Sequence, residues 1–256
     1  MKLTEENYYS LEANKAYMSV SQYKDFLRCE AYALAKVRGE EISETSTAML
    51  IGSYVDAYFG GELEKFKTEN PQIFKKDGNL KAEFAHANVI ISRIEAQPEM
   101  VRYLSGEHQR IFTANIAGVE FKTKLDSYLP GEAIVDGKVM KDFAPQYIEE
   151  HGRVPWYQAW GYDTQGAVYQ EAVRQNTGEK LPFILDAASK EPEPDLLLME
   201  ISQPELDYEL QQVCENAPRF DAIKKGYVQP RPCGKCNYCR RHKIVKLIKS
   251  EDLYDD

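Results

Sequence analysis

No run in the chain approaches the roughly 20 apolar residues that a membrane-spanning helix needs, and the opening MKLTEENYYSLEANKAYMS is polar and acidic. We therefore expect a cytoplasmic protein with no membrane partner. Cysteine is scarce, at five residues in 256, and odd in number, which argues against a disulfide framework and for metal binding or reactivity. Repeats and low-complexity linkers are missing, so neither a solenoid nor a tethered array is expected. A basic excess is missing too. The formal charge of −9 counts against a surface that grips nucleic acid over its whole extent. What is present suffices for one unstapled core, with 43% hydrophobic and 11% aromatic residues.

The order of elements points to an α/β fold. Ser19 or Ser21 caps a helix that should reach about Arg38, where Gly39 stops it, with Cys29 in its middle. Further helices are expected over Thr47 to Phe59 and Ala82 to Ile94. Arg110 to Ile116, Val119 to Leu129 and Glu132 to Val139 read as a three-stranded meander, turning at Ala117-Gly118 and Pro130-Gly131. Pro155 opens a long helix that ends near Gly178, followed by strands over Pro182 to Asp186 and Leu196 to Ile201 and a helix over Gln203 to Lys225. One domain over 1–256 is the economical organisation: a helical N-terminal region over residues 1–108, an α/β core over 109–202, and a C-terminal helix with a cysteine cluster over 203–256.

Asp126 lies within the second strand, and Asp136-Gly137-Lys138 end the third. Across the Pro-Gly turn, two carboxylates and an ammonium can converge. Carboxylate oxygens suit hard Mg²⁺, and a nearby lysine can orient a water or offset transition-state charge, so the set fits phosphodiester hydrolysis. An exposed strand-face pair is the plain alternative. The rival triplet Glu120-Phe121-Lys122 has Arg110 where the upstream carboxylate should be.

Cys233, Cys236 and Cys239 stand at two-residue intervals after Pro230 and Pro232. Thiolates so spaced can wrap a [4Fe–4S] cluster, with Cys29 the candidate fourth ligand. The main competitor is Zn²⁺, held by four cysteines or with His242 replacing one, beside an empty reduced site; the spacing disfavours zinc, because zinc sites usually pair two ligands from each of two knuckles. Cys214 is expected as a buried small hydrophobe. Seven Lys or Arg and no acid lie between Arg231 and Lys249, ahead of an acidic end. On charge alone this stretch is a solvated face or a DNA contact.

Asp126, nine residues, then Asp136-Gly137-Lys138 on consecutive strands between helices resembles the core of the PD-(D/E)XK nucleases, an αβββαβ mixed sheet flanked by helices. The RecB-like branch carries a Gln-x-x-x-Tyr motif, matched by Gln165 and Tyr169, and a Gly-x-x-x-His motif, here Gly52 with Asp56 in place of the metal-binding histidine. The resemblance implies Asp56, Asp126, Asp136 and the Gly137 carbonyl as ligands for Mg²⁺ or Mn²⁺, with Lys138 positioning water and Gln165 and Tyr169 supporting the site. One cysteine before the core and three after it resemble the iron–sulfur staple of AddB and CRISPR-associated nucleases. Over most of its length the chain resembles RecE-like phage exonucleases. This implies an exonuclease on duplex DNA ends in a bacterial or phage-infected cell, working beside a strand-annealing recombinase, with a ring-like homo-oligomer open. The alternative is a catalytically silent DNA-binding or partner-binding metalloprotein.

Overall fold

A computed structural model describes residues 1–41, 46–149, 152–245, 247, 249 and 250. Lys246 and the acidic end 251–256 therefore lie outside the described residues. The helices are α1 (Leu11–Ala16), α2 (Val20–Arg28), α3 (Glu30–Arg38), α4 (Thr47–Phe59), α5 (Leu63–Glu69), α6 (His86–Glu95), α7 (Pro98–Tyr103), α8 (Trp156–Ala159), α9 (Tyr162–Thr177), α10 (Gln203–Lys224) and α11 (Asn237–Arg241). The strands are β1 (Glu107–Ile116), β2 (Val119–Leu129), β3 (Ala133–Met140), β4 (Gln146–Ile148), β5 (Gly152–Val154), β6 (Phe183–Ser189) and β7 (Leu196–Glu200). The main sheet has the order β1-β2-β3-β6-β7. Its β3–β6 pair is parallel and the others are antiparallel, so α9 forms the crossover that a parallel pair requires.

Two apolar layers enclose the sheet. On one, Val168, Ala172 and Val173 of α9 and Val213, Ala217 and Phe220 of α10 pack with Phe121, Leu125, Phe183 and Leu185. On the other, Val55, Ile90, Ile91 and Ile94 of α4 and α6 gather with Leu104 and Ala188. β6 is buried along its whole length, as a parallel-paired strand covered on both faces should be.

The structure corrects several boundaries. The helix expected from Ser19 to Arg38 breaks at Cys29, whose backbone is extended (φ −166°, ψ 107°), while Ser19 and Gly39 cap as expected. The helix opened by Pro155 stops at Trp160, and Gly161 at φ +63° starts α9 in a new direction. The polar stretch after β3 holds a small β4–β5 hairpin, and the helix expected from Ala82 begins as a 3-10 turn before α6. Cys214 is exposed, not buried: Val213 and Ala217 occupy the inward stripe of α10, and the next residue round turns outward.

Gly166 sets how closely α9 approaches the sheet. A Cβ there would overlap the Phe183 ring and fall 2.9 Å from Leu206 Cδ2. Both side chains are fully buried and cannot swing away. Gly166→Ala should lose stability, because overpacking strain of about 1–3 kcal/mol outweighs the gain of about 1 kcal/mol in helix propensity. Denaturant unfolding checks this; a more stable variant would show that α9 has slack.

Candidate active site

β2 and β3 pair only from Leu129↔Ala133 to Ser127↔Val135, after which the strands part, while β3 stays paired with β6 to Met140. The fork forms the candidate site. Asp126 Oδ2 reaches across it to accept the Gly137 N–H at 3.1 Å. Lys138 lies between the two acids, ion-paired with Asp136 and 4.0 Å from Asp126 Oδ2, and its Nζ donates to the Gly137 carbonyl at 3.3 Å. Asp136 and Lys138 are two apart on β3 and so face the same side.

α9 supplies the next contacts. Gln165 Nε2 donates to Asp136 Oδ1 at 2.7 Å, and Tyr169 Oη donates to the Lys124 carbonyl at 3.2 Å. The motif pair thus spans both strands of the fork. Gln165 fixes the Asp136 carboxylate, and Tyr169 pins β2 without touching the acids. Asp56, from α4, lines the same 380 Å³ cleft as Asp126, Asp136, Lys138, Gln165 and Tyr169.

The charges of the cleft act on one another. Burial, then the neighbouring Asp136 and Asp56 charges, hold the Asp126 carboxyl well above its ordinary value. Asp56 keeps solvent access but is crowded by protein; that crowding, then Asp136, pushes it up against the pull of Lys138. Burial alone would depress Lys138, but Asp136 and Asp126 outweigh it and keep the ammonium above its usual value. Asp136 Oδ2 is buried and is held by the Lys138 ammonium.

Three acids around one cation form a hard-oxygen donor set that fits Mg²⁺ or Mn²⁺. With Lys138 lodged among them, the acids are less tightly gathered than the cysteines: among the described residues only the thiols form a group of ligand atoms all within 4.8 Å of one another.

Several cleft residues were missed in the sequence. Lys122 and Lys124 share with Asp126 the alternation of β2, which was the available signal. Lys122, buried, donates to the Tyr8 carbonyl and to Asn14 Oδ1 at 2.8 Å, and burial pushes it down to about 8. Lys24, on α2, gave no signal. Burial, then the Lys138 ammonium, push it down to about 8, and it donates to the Trp160 carbonyl at 2.9 Å. Gln109, at φ +53°, also lines the cleft, on β1 between the pairs His108↔Ser127 and Arg110↔Leu125. Among the described residues, none of the basic C-terminal stretch lines this cleft. Arg241 pairs with Glu41 at 2.5 Å, and Lys235 stands 3.8 Å from Glu149.

Asp186 lies beside Gly137 in the β3–β6 ladder, with both oxygens buried and unpartnered. Burial pushes it up to about 8. The folded chain then keeps a proton that the unfolded chain releases above about pH 4, so stability falls as pH rises toward 8. Asp186→Asn removes this titration. Its unfolding free energy should gain on the wild type by a few kcal/mol between pH 5 and 8; a pH-independent difference would mean that Asp186 is already ionised.

Cys29, Cys233, Cys236 and Cys239 come together at the α2–α3 break, 3.5 Å separating Cys29 Sγ from Cys239 Sγ. His242 is not among them: its Nδ1 lies 2.9 Å from the Tyr238 carbonyl.

A forked mixed sheet with two carboxylates and a lysine at the fork defines a PD-(D/E)XK-like protein. Residues 19–242 match the family described as PDDEXK-like domain of unknown function (DUF3799), and the chain belongs to it. The chain is also similar to the crystal structure of a protein named "Putative exonuclease" from Eubacterium rectale, with 47% identity and a TM-score of 0.92 over 98% of this chain and 97% of that one. No curated protein matches. Among the described residues no helix is long and apolar enough to cross a membrane.

Proposed function

We propose that the chain is a divalent-metal-dependent deoxyribonuclease that degrades duplex DNA from its ends. The observation that carries this reading is the fork, where Asp126 and Asp136 flank Lys138 within a cleft that Lys24, Lys122 and Lys124 also line. The cations concentrate where a phosphodiester would lie, so a net charge of −9 does not prevent binding.

Asp56, Asp126 and Asp136 would hold Mg²⁺ or Mn²⁺, with the Gly137 carbonyl as a further donor, and the ion would supply Lewis-acid polarisation of the phosphoryl group. The chain's own groups do the rest. Gln165 holds the Asp136 carboxylate in orientation. Lys138 steers the attacking water and offsets charge growing on the phosphoryl oxygens. Lys24 and Lys124 hold the backbone phosphates, and Tyr169 keeps β2 in register with α9.

End-directed cleavage rests on the likeness to the exonuclease-named relative. A cytoplasmic role beside a strand-annealing recombinase, and a ring-like oligomer, rest on the RecE-like resemblance. The test is digestion of end-labelled linear duplex DNA with Mg²⁺ or with chelator. Nucleotide release in Mg²⁺ alone is expected; binding without release in any divalent metal would favour the catalytically silent alternative.

A further inference from the structure

The four cysteine sulfurs sit too close together for the iron–sulfur cluster that their spacing suggests, and we infer that they hold a single tetrahedral Zn²⁺. Cys29 Sγ is 3.5 Å from Cys239 Sγ, Cys233 Sγ is 3.8 Å from Cys239 Sγ, and all four lie within 4.8 Å of one another. Bonds of about 2.3 Å from one zinc to four tetrahedral corners place the sulfurs about 3.8 Å apart. A [4Fe–4S] cluster instead puts a separate iron behind each thiolate. Its ligands surround a cube of iron and sulfide and cannot approach so closely.

The backbone supports the same choice. Cys233-Gly234-Lys235-Cys236 forms a knuckle, with Gly234 at φ +71° and the Cys236 N–H donating to Cys233 Sγ at 3.3 Å. Cys236 then caps α11, its Sγ accepting the Cys239 N–H at 3.4 Å. Amides aimed at sulfur stabilise thiolates, the form that binds metal. Cys29 joins them from the break between α2 and α3. Sequence spacing shows three evenly placed thiols. The fold divides them into a knuckle pair and a helix-turn ligand, and brings Cys29 to them as the fourth.

The ion would clamp a corner that already carries other ties. Glu30, next to Cys29, accepts from Arg219 Nε and Nη2 at 2.7 and 2.9 Å and from the Arg231 N–H at 2.7 Å. α2, which ends at this corner, also carries Lys24. The role is structural, and the assignment does not depend on the nuclease reading.

Elemental analysis of the full chain, purified anaerobically, decides between the metals. About one zinc per chain is expected, without labile sulfide or visible absorption. Cobalt exchanged for zinc should give thiolate charge-transfer and tetrahedral ligand-field bands, a readout that needs no variant. Cys29→Ser should lose the tight metal and weaken those bands. About four irons with matching sulfide and a broad visible absorption would overturn the inference. So would a chain that neither carries zinc nor takes up about one equivalent when zinc is added.

Discussion

Lys138→Ala is expected to lower turnover by about 10²–10³-fold while DNA affinity changes only a few-fold. The ammonium is lodged among Asp126, Asp136 and the Gly137 carbonyl. It is therefore poorly placed to grip ground-state phosphate, and Lys24 and Lys124 remain to do so. Its contribution falls on the transition state, where charge grows beside it. A second effect follows from the same geometry: removing the one cation from a cluster of three acids should lower the Mg²⁺ concentration needed for half-saturation. Single-turnover cleavage with separate DNA and Mg²⁺ titrations reads all three quantities. Lost binding with intact turnover at saturating DNA would move Lys138 out of the chemistry.

Asp136→Asn should reduce cleavage by about 10³-fold or more. The substitution keeps the size of the side chain and a carbonyl oxygen for Gln165. It removes the negative charge and, with Oδ2, the ion pair to Lys138. DNA binding should hold or improve, since one anion leaves the phosphate path. Gln165→Ala should cost far less, about tenfold, because Gln165 only orients the carboxylate. An Asp136→Asn chain that still cleaves at the wild-type rate would displace the site from the fork.

The meander and its carboxylate pair were legible because alternation and turn residues act locally. Val119 to Leu129 matched β2 at both ends, and the Pro130-Gly131 turn brought Asp136 opposite the Asp126 region. The fork itself was not legible, since it depends on where β2 stops pairing while β3 continues beside β6, a tertiary choice. Helix continuity failed at Cys29 and Trp160 for a similar reason. Local propensity favours one helix through each, but distant partners turn the chain, Cys239 at the first and Lys24 at the second. The four cysteines do come together, while the size of the set, which separates one ion from a cluster, is a distance that no spacing encodes. Lys24 entered the cleft unannounced because a single lysine on an amphipathic helix resembles any solvated one.

Matched linear and closed-circular duplex DNA, incubated with Mg²⁺ and either wild type or Asp136→Ala, test the central claim most directly. We predict progressive loss of the linear molecule alone, by the wild type alone, and none in chelator. Equal attack on circles would contradict the end-directed reading, and degradation by Asp136→Ala at the wild-type rate would contradict the assignment of the fork as the active site.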